Sequence, residues 1–287
     1  MQKVKRLRYL LLSALVLSMV ACQKEQQEQL LPKDEILSVS EKVIVPETGN
    51  LSGTVNRENK KDYNTFYGPQ VQMGNGHVRS WINITRKDDL PLAIGIEFTS
   101  NSFENLPTAD ANIEDHRFDL KLHQKAMAVT PFDHLTLNWE PEGHPPFYFT
   151  PHFDMHFYKI SIAQQNTITD VPGPAPAPGY LPLSYVIRGA TVPQMGTHWL
   201  DPRSPEFPPT SAPFTHTFIY GSNNGNVHFL EPMITRDFLV SGTSFSTPFP
   251  QPLHFSPSGT YYPTWYRIWK DSENGRSYVA LTDFVWR

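Results

Sequence analysis

Pro151–Tyr158, PHFDMHFY, decides the fold that we expect for this chain. In a β-strand successive side chains point to opposite faces, so the apolar and polar residues of this stretch separate. The apolar face consists of Phe153, Met155 and Phe157. The polar face consists of His152, Asp154 and His156. One face is therefore predicted to be buried in a core, and the other carries three potential metal ligands or proton-transfer groups.

A second alternating stretch, Phe132–Glu140, precedes this one. The turn at 141–146 separates it from the predicted central strand Phe147–Ile162, so we expect the two strands to pair as an antiparallel hairpin. Their polar faces would then lie side by side. The residues expected to line a polar pocket there are His134, Asn138, Glu140 and His144.

The rest of the chain also favours short strands joined by ordered loops. It contains 27 prolines and only 18% charged residues, which is unusual for a helical protein. Gly74-Asn75-Gly76 predicts a hairpin turn, and Val171–Gly179, VPGPAPAPG, resists both helix and sheet. Further strands are predicted at Leu92–Thr99, Phe118–Ala128, Phe214–Tyr220, Val227–Thr235, Tyr261–Trp269 and Tyr278–Trp286. We predict a mainly β fold, an antiparallel β-sandwich or partly closed barrel with long Pro-rich loops and little helix.

The N-terminus has the pattern of a secretory signal peptide. Four basic residues lie within the first eight positions, and the apolar run Tyr9–Val20 that follows is too short for a membrane span of about 20 residues. Met19–Cys22, MVAC, resembles a bacterial lipobox, and Cys22 is the only cysteine in the chain. We therefore expect cleavage after residue 21 and a lipid on Cys22, which would anchor the protein in the outer membrane of a bacterial cell envelope, facing the periplasm or the cell surface.

Cleavage would leave an acidic protein, with residues 22–59 as a flexible tether and residues 60–287 as a single β-rich domain. The net charge of the full chain is −4, and loss of the four basic residues of the signal peptide leaves 20 basic against 28 acidic residues, or −8. Nucleic acid is bound through basic patches, so it is not an expected partner. The expected contact is the membrane, through the anchor, and the sequence identifies no protein or small-molecule partner.

Histidine together with aspartate or glutamate is a ligand set that zinc, iron and manganese take in proteins. Strand positions i and i+2 lie about 6.8 Å apart and can converge on one ion, whereas positions i and i+4 lie about 13 Å apart. His152 and His156 are therefore not expected to share an ion unless the strand bends. Two pairings stay open, Asp154 with His156 or His152 with Asp154, each completed from elsewhere in the chain. The candidate metal ligands are His152, Asp154, His156, His198 and Glu231.

The polar face is open to two interpretations. In the first it binds a divalent metal ion, and any reaction would use a water activated by that ion. In the second the protein is a non-catalytic envelope lipoprotein that binds a partner or small ligand through a hydrogen-bonded polar pocket. The sequence contains no serine-hydrolase elbow, phosphate-binding loop or dinucleotide motif. Whether the protein is an enzyme is open.

Several stretches of the sequence resemble an uncharacterised family of bacterial secreted proteins and lipoproteins that carries a domain of unknown function. They are FDHLTLNWEPEGHPP (132–146), PHFDMHFY (151–158), MGTHWLDPRSPEF (195–207), FTHTFIYGSNNG (214–225) and EPMIT (231–235). The resemblance covers the chain from about Tyr67 to Arg287. It implies a shared fold and an exported location, and it implies no activity.

Overall fold

Strands are the main regular structure of the described residues. A computed structural model describes Val43, Val45 and residues 62–287. The strands are β1 (Tyr63–Tyr67), β2 (Val71–Met73), β3 (Gly76–Thr85), β4 (Pro91–Thr99), β5 (Arg117–Lys121), β6 (His134–Glu140), β7 (His152–Tyr158), β8 (Ile187–Val192), β9 (Gly196–Leu200), β10 (His216–Asn223), β11 (Asn226–Thr235), β12 (Phe245–Pro248), β13 (Tyr261–Tyr262), β14 (Trp265–Asp271), β15 (Arg276–Thr282) and β16 (Val285–Trp286). The α-helices are α1 (Gln124–Val129), α2 (Ile162–Gln165) and α3 (Arg236–Ser241), and 3-10 turns lie at Ser100–Phe103 and Ile113–His116.

Two large antiparallel sheets pack against each other. The first sheet has the order β1-β3-β4-β15-β14-β12, with β2 also paired to β3, and the second has the order β5-β6-β7-β11-β10-β9-β8. A small third sheet joins β13 and β16. Neither large sheet closes into a barrel. The prediction of a mainly β, antiparallel fold with little helix is confirmed, and of its two forms the structure takes the sandwich.

The main core fills the space between the two large sheets. Phe98 of the first sheet and Phe153 of the second are both fully buried, and their ring centroids lie 6.0 Å apart. Met155 and Phe157 continue the same buried face of β7. Burial of one such side chain contributes about 1.5–3 kcal/mol, so this face alone fixes which side of β7 turns toward the core.

The hairpin predicted from the two alternating stretches is confirmed. β6 and β7 pair antiparallel, with Asn138 opposite Asp154 and Glu140 opposite His152. Because the register keeps the apolar residues of both strands on one side, the polar residues of both strands lie together on the other. The sequence therefore predicted the neighbours of the polar face correctly.

The predicted strands Tyr261–Trp269 and Tyr278–Trp286 are each divided into two, β13 with β14 and β15 with β16. Two other predicted strands are longer than the real ones. The strand predicted for Phe118–Ala128 ends at Lys121, because the side chain of His123 caps α1 by accepting a hydrogen bond from the Lys125 backbone N–H at 3.1 Å. The strand predicted for Phe147–Ile162 is only β7, because the loop before it folds back on itself and Ser161 starts α2 with a capping box. In both places a helix cap ends the strand and its alternation of apolar and polar residues.

Val43 and Val45, which fall within the predicted tether, pack against the outer face of the first sheet near Trp81. The carbonyl oxygen of Val43 accepts hydrogen bonds from Asn83 at 2.8 Å and from the Tyr63 hydroxyl at 2.9 Å. The predicted signal peptide, Cys22 and the remainder of the tether lie outside the described residues. Within the part of the chain that the structure describes, no helix is long and apolar enough to cross a membrane.

Candidate metal centre

The polar face of β7 is buried as completely as its apolar face. Two interstrand loops, 141–151 and 201–215, cover the outer side of the second sheet at this point. Their apolar side chains join those of the sheet in a separate cluster, which consists of Tyr148, Leu200, Phe207, Phe214, Ile219 and Met233. The histidines and the aspartate of β7 are thus enclosed between sheet and loops, where polar groups need partners.

His156, His198 and Glu231 form the first of two ligand groups, which we call the inner group. Nε2 of His156 lies 3.5 Å from Oε1 of Glu231, and Nε2 of His198 lies 3.7 Å from Oε2 of the same carboxylate. The three residues come from β7, β9 and β11. Their ligand atoms all lie within 4.8 Å of one another.

A glycine on β10 lets the inner group form across four strands. Gly221 lies opposite both His198 on β9 and Phe229 on β11. The ring of Phe229 fills the place that a side chain at Gly221 would take, since a Cβ there would lie 1.9 Å from the ring. The centroid of that ring is 4.8 Å from the His156 ring and 5.4 Å from the His198 ring. Phe229 therefore packs against both imidazoles and holds their positions.

Two members of the inner group, His156 and Glu231, are buried and have polar atoms without hydrogen-bond partners among the described residues. Glu231 has 1% of its side chain exposed, and His156 has none. Among the described residues, the ring nitrogens of His156 and Oε2 of Glu231 have no hydrogen-bond partner. Nδ1 of His198 lies 3.2 Å from the carbonyl oxygen of Ala190, to which it donates, so its Nε2 presents a lone pair to Glu231.

Burial decides the protonation states of the inner group. Loss of solvent lowers the pKa of His156 to about 3 and also lowers the pKa of His198. Burial, and after it the charge of Asp154, raises the pKa of Glu231 well above its ordinary value. Both imidazoles are therefore neutral, as metal ligands must be, and the carboxylate needs a positive charge before it can ionise.

His144, His152 and Asp154 form a second ligand group, which we call the outer group. His144 comes from the loop 141–151 and is the more exposed histidine of the two. Nε2 of His152 lies 3.0 Å from Oδ1 of Asp154, and Nε2 of His144 lies 3.5 Å from Oδ2. The two Nε2 atoms are 3.2 Å apart.

The outer group needs a cation at its centre. Nδ1 of His144 lies 2.8 Å from the carbonyl oxygen of Pro145, and Nδ1 of His152 lies 2.7 Å from that of Thr150. If both Nδ1 atoms donate, two nitrogen lone pairs and a carboxylate point at one another, which is repulsive unless a proton or a metal ion lies between them.

A proton on the outer group satisfies this need. Burial by itself lowers the pKa of His144, but the hydrogen bond and charge of Asp154 outweigh burial and raise that pKa to about 9. Burial likewise opposes ionisation of Asp154, yet the charge of His152 and the hydrogen bond from His144 bring its pKa well below the usual range. The outer group is thus a charge-balanced cluster in the absence of a metal.

The structure places all five candidate ligands in these two groups. His152 and His156 lie in different groups, as their separation along the strand requires. Of the two open pairings, Asp154 lies with His152, and His156 is completed by Glu231 and His198. His144, which the sequence assigned only to a polar pocket, joins the outer group. Spacing alone gave no signal for this, because the loop must fold back to bring Nε2 of His144 within 3.2 Å of Nε2 of His152.

The other predicted pocket residues border the outer group or lie apart from it. Glu140 lies opposite His152, and burial together with the charge of Asp154 raises its pKa. Asn138 lies opposite Asp154 on the neighbouring strand. His134 is at the other end of β6, where Gln165 and Asp133 satisfy its ring nitrogens. It belongs to neither group.

Comparisons of the chain with protein-family models, with curated proteins and with solved structures found no match. The function is therefore argued from the geometry of the chain itself.

Proposed function

We propose that the protein binds a divalent metal ion through the inner group, His156, His198 and Glu231. One observation carries the proposal. Two neutral imidazole nitrogens and a carboxylate converge in a buried space where no other partner satisfies His156 or Oε2 of Glu231 among the described residues. An ion would supply the positive charge that the buried Glu231 carboxylate needs, and it would accept one lone pair from each imidazole.

The spacing of the ligand atoms supports an ion rather than direct hydrogen bonds. Separations of 3.5 and 3.7 Å are too long for a good N–H···O bond. Ligands at about 2.0–2.2 Å from a tetrahedral zinc ion lie about 3.3–3.6 Å from each other. Two histidines and one carboxylate suit zinc, iron or manganese. Three protein ligands leave a position for water or a small oxygen ligand, which the ion would polarise.

The outer group is proposed as a second and weaker metal site. It has the same kinds of ligand, but Asp154 raises the pKa of His144 to about 9, so a proton competes with the ion for Nε2 of His144. Metal binding there should therefore strengthen as the pH rises. The inner group faces no such competition from its histidines, whose pKa values are lowered.

Export and lipid anchoring are proposed from the N-terminal sequence alone. The basic start, the short apolar run and MVAC ending at Cys22 support a lipoprotein of the bacterial cell envelope. The resemblance to secreted proteins and lipoproteins in the stretches quoted above agrees with this location. The proposal thus joins a lipid anchor with a metal-binding β domain.

Elemental analysis by mass spectrometry tests the metal site. The full-length protein is purified without a metal-affinity column, and the variants His156→Ala and His77→Ala are treated in the same way. We expect near-stoichiometric zinc, iron or manganese in the wild type and in His77→Ala, since His77 is exposed and distant in the fold. We expect at least a tenfold loss in His156→Ala, as for other removed ligands.

Two results would contradict the proposal. One is full retention of metal by His156→Ala. The other is a wild-type protein that stays free of metal after incubation with zinc, iron, manganese and copper. Either result would favour the alternative function, a non-catalytic envelope lipoprotein that binds a partner or small ligand through its polar pocket.

A further inference from the structure

A cavity of about 240 Å³ lies on the opposite side of the second sheet from the two ligand groups. Leu230 lines it, and Leu230 precedes Glu231 on β11, so their side chains point to opposite faces of the sheet. Four aromatic side chains line it, those of Tyr220, Phe249, Phe255 and Tyr262. With about 30 Å³ for each water, the space holds about eight waters or one small organic molecule.

One charged group lines this cavity. Lys159 follows β7 directly, and its Nζ donates a hydrogen bond to the carbonyl oxygen of Ser256 at 2.7 Å. Nζ also lies 5.5 Å from the centroid of the Tyr262 ring. The described residues that line the cavity include no aspartate or glutamate, and no ion pair joins Lys159 to a carboxylate elsewhere in the described chain. Burial lowers the pKa of Lys159 to about 7, as expected for an amine without a counter-charge.

The proline-rich segment Val171–Gly179 supplies the rim of this cavity. Ala177 lines it, and the carbonyl oxygen of Gly179 accepts a hydrogen bond from the backbone N–H of His254 at 2.9 Å. Tyr180 lies beside the His254 ring, with 5.5 Å between their centroids. Both side chains have exposed surface, so the mouth of the cavity is open to solvent between them. The segment that resists helix and sheet thus has a defined place in the fold.

We propose that this cavity binds a small aromatic carboxylate, with the carboxylate paired to Lys159 and the ring between the aromatic walls. A partly buried amine that forms no ion pair among the described residues favours an anion. Flat aromatic walls favour a planar ring. The single charge of the amine balances a carboxylate, whereas a phosphate carries about −1.5 to −2 charges near neutral pH. The site is separate from the metal centre and does not depend on it.

Benzoate and its neutral analogue benzamide test the proposal by isothermal titration calorimetry. The full-length protein is used with excess EDTA, so that benzoate cannot bind through a metal ion. We expect the wild type to bind benzoate at least about tenfold more tightly than benzamide, a difference of about 1.4 kcal/mol. Lys159→Met keeps the aliphatic stem and removes the charge, so it should bind both probes equally. Lys125→Met, at an exposed lysine, should behave as the wild type.

Benzamide also checks the fold of the variant, because its binding needs the walls and not the amine. Equal affinity of the wild type for both probes would overturn the proposal. So would undetectable binding of benzoate at about 10 mM, or a preference for benzoate that survives in Lys159→Met.

Discussion

Glu231 is a carboxyl group with 1% of its side chain exposed, and it faces two imidazoles. Among the described residues, neither an arginine nor a lysine forms an ion pair with it. A buried carboxylate of this kind is costly unless a positive charge compensates it. The residue therefore destabilises the metal-free protein and becomes favourable only when an ion is bound.

Glu231→Gln separates these two effects. The substitution keeps the shape and removes the charge, so metal should be lost from the inner group. The metal-free variant should be as stable as the metal-free wild type or more stable by about 1 kcal/mol, because Glu231 must take up a proton to be buried without a metal ion and glutamine need not. Urea unfolding in EDTA measures the free energy of unfolding, and elemental analysis measures the metal. A variant that is less stable by more than about 1 kcal/mol would show that Glu231 is a structural residue.

At the scale of single residues, the sequence predicted both the strand that carries the site and the candidate ligands on it. The types of His152, Asp154 and His156 and their alternation identified the strand, and the spacing of the strand kept the two histidines apart. His144 was placed near the site but not among the ligands. Its position depends on how the loop 141–151 folds back, which is set by packing of Tyr148 against Phe214 and cannot be read from spacing.

At the scale of elements, β10 shapes the inner group through Gly221, which has no side chain. Gly221 leaves the space that the Phe229 ring occupies, and that ring holds the two imidazoles of the inner group. The register of β10 also shifts just after this residue, between Gly221 and Ser222. The proposed metal centre thus depends on a strand that contributes no ligand to it.

Gly221→Ala should damage the fold and the metal centre together. Its new methyl group would overlap the Phe229 ring, at a cost of about 1–3 kcal/mol in the free energy of unfolding. Metal affinity should fall at least about tenfold as the ring moves the imidazoles. Chemical unfolding and competition with a chelator measure the two effects.

The double variant Gly221→Ala/Phe229→Leu serves as the control, because leucine does not reach the space above residue 221. It should regain part of the lost stability. If the single variant is as stable as the wild type, the contact between Gly221 and Phe229 does not organise this strand.

Elements with strict alternation were predicted well from the sequence, and elements that end in a cap were not. β6 and β7 pair as expected because their apolar residues fix the register. α1 was missed because Phe118–Ala128 continues to alternate by chance beyond Lys121, while His123 caps a helix with its side chain. A cap made by histidine has no strong sequence signal.

At the scale of the whole molecule, the second sheet is buried on both sides over its central strands. The sequence predicted one buried face, as in most antiparallel sheets. The second layer is made by loops 141–151 and 201–215, which lie far apart in the chain and meet through Phe147 and Phe207, with 4.8 Å between ring centroids. Such a meeting is a property of the tertiary fold, so residue patterns within one strand could not reveal it.

Burial between the two sheets makes the stability of the whole protein sensitive to acid through a histidine on β10. His216 packs against the ring of Phe245 and lies 3.0 Å from the hydroxyl of Tyr266. Burial lowers its pKa to about 4. The unfolded chain binds the proton near pH 6.5, so the stabilisation from this residue is complete above about pH 6.5 and is lost as the pH falls toward 4.

His216→Gln should flatten this dependence. Glutamine keeps a polar partner for Tyr266 but does not titrate. Between pH 7.5 and 4.5 the metal-free wild type should lose about 1–2 kcal/mol more stability than the variant, allowing for the partial exposure of His216. Urea unfolding in EDTA at several pH values measures the difference. Parallel profiles for the two proteins would show that the proton on His216 does not contribute.

If Cys22 carries a lipid, as proposed, the packing of Val43 against the first sheet limits how far the folded part can stand from the membrane. Only 21 residue steps separate Val43 from Cys22. A fully extended chain covers at most about 3.3–3.6 Å per residue, so the segment between Cys22 and Val43 can span no more than about 70–75 Å. With a lipid on Cys22, as proposed, the maximum length of this segment sets the radius within which the domain can meet other components of the envelope.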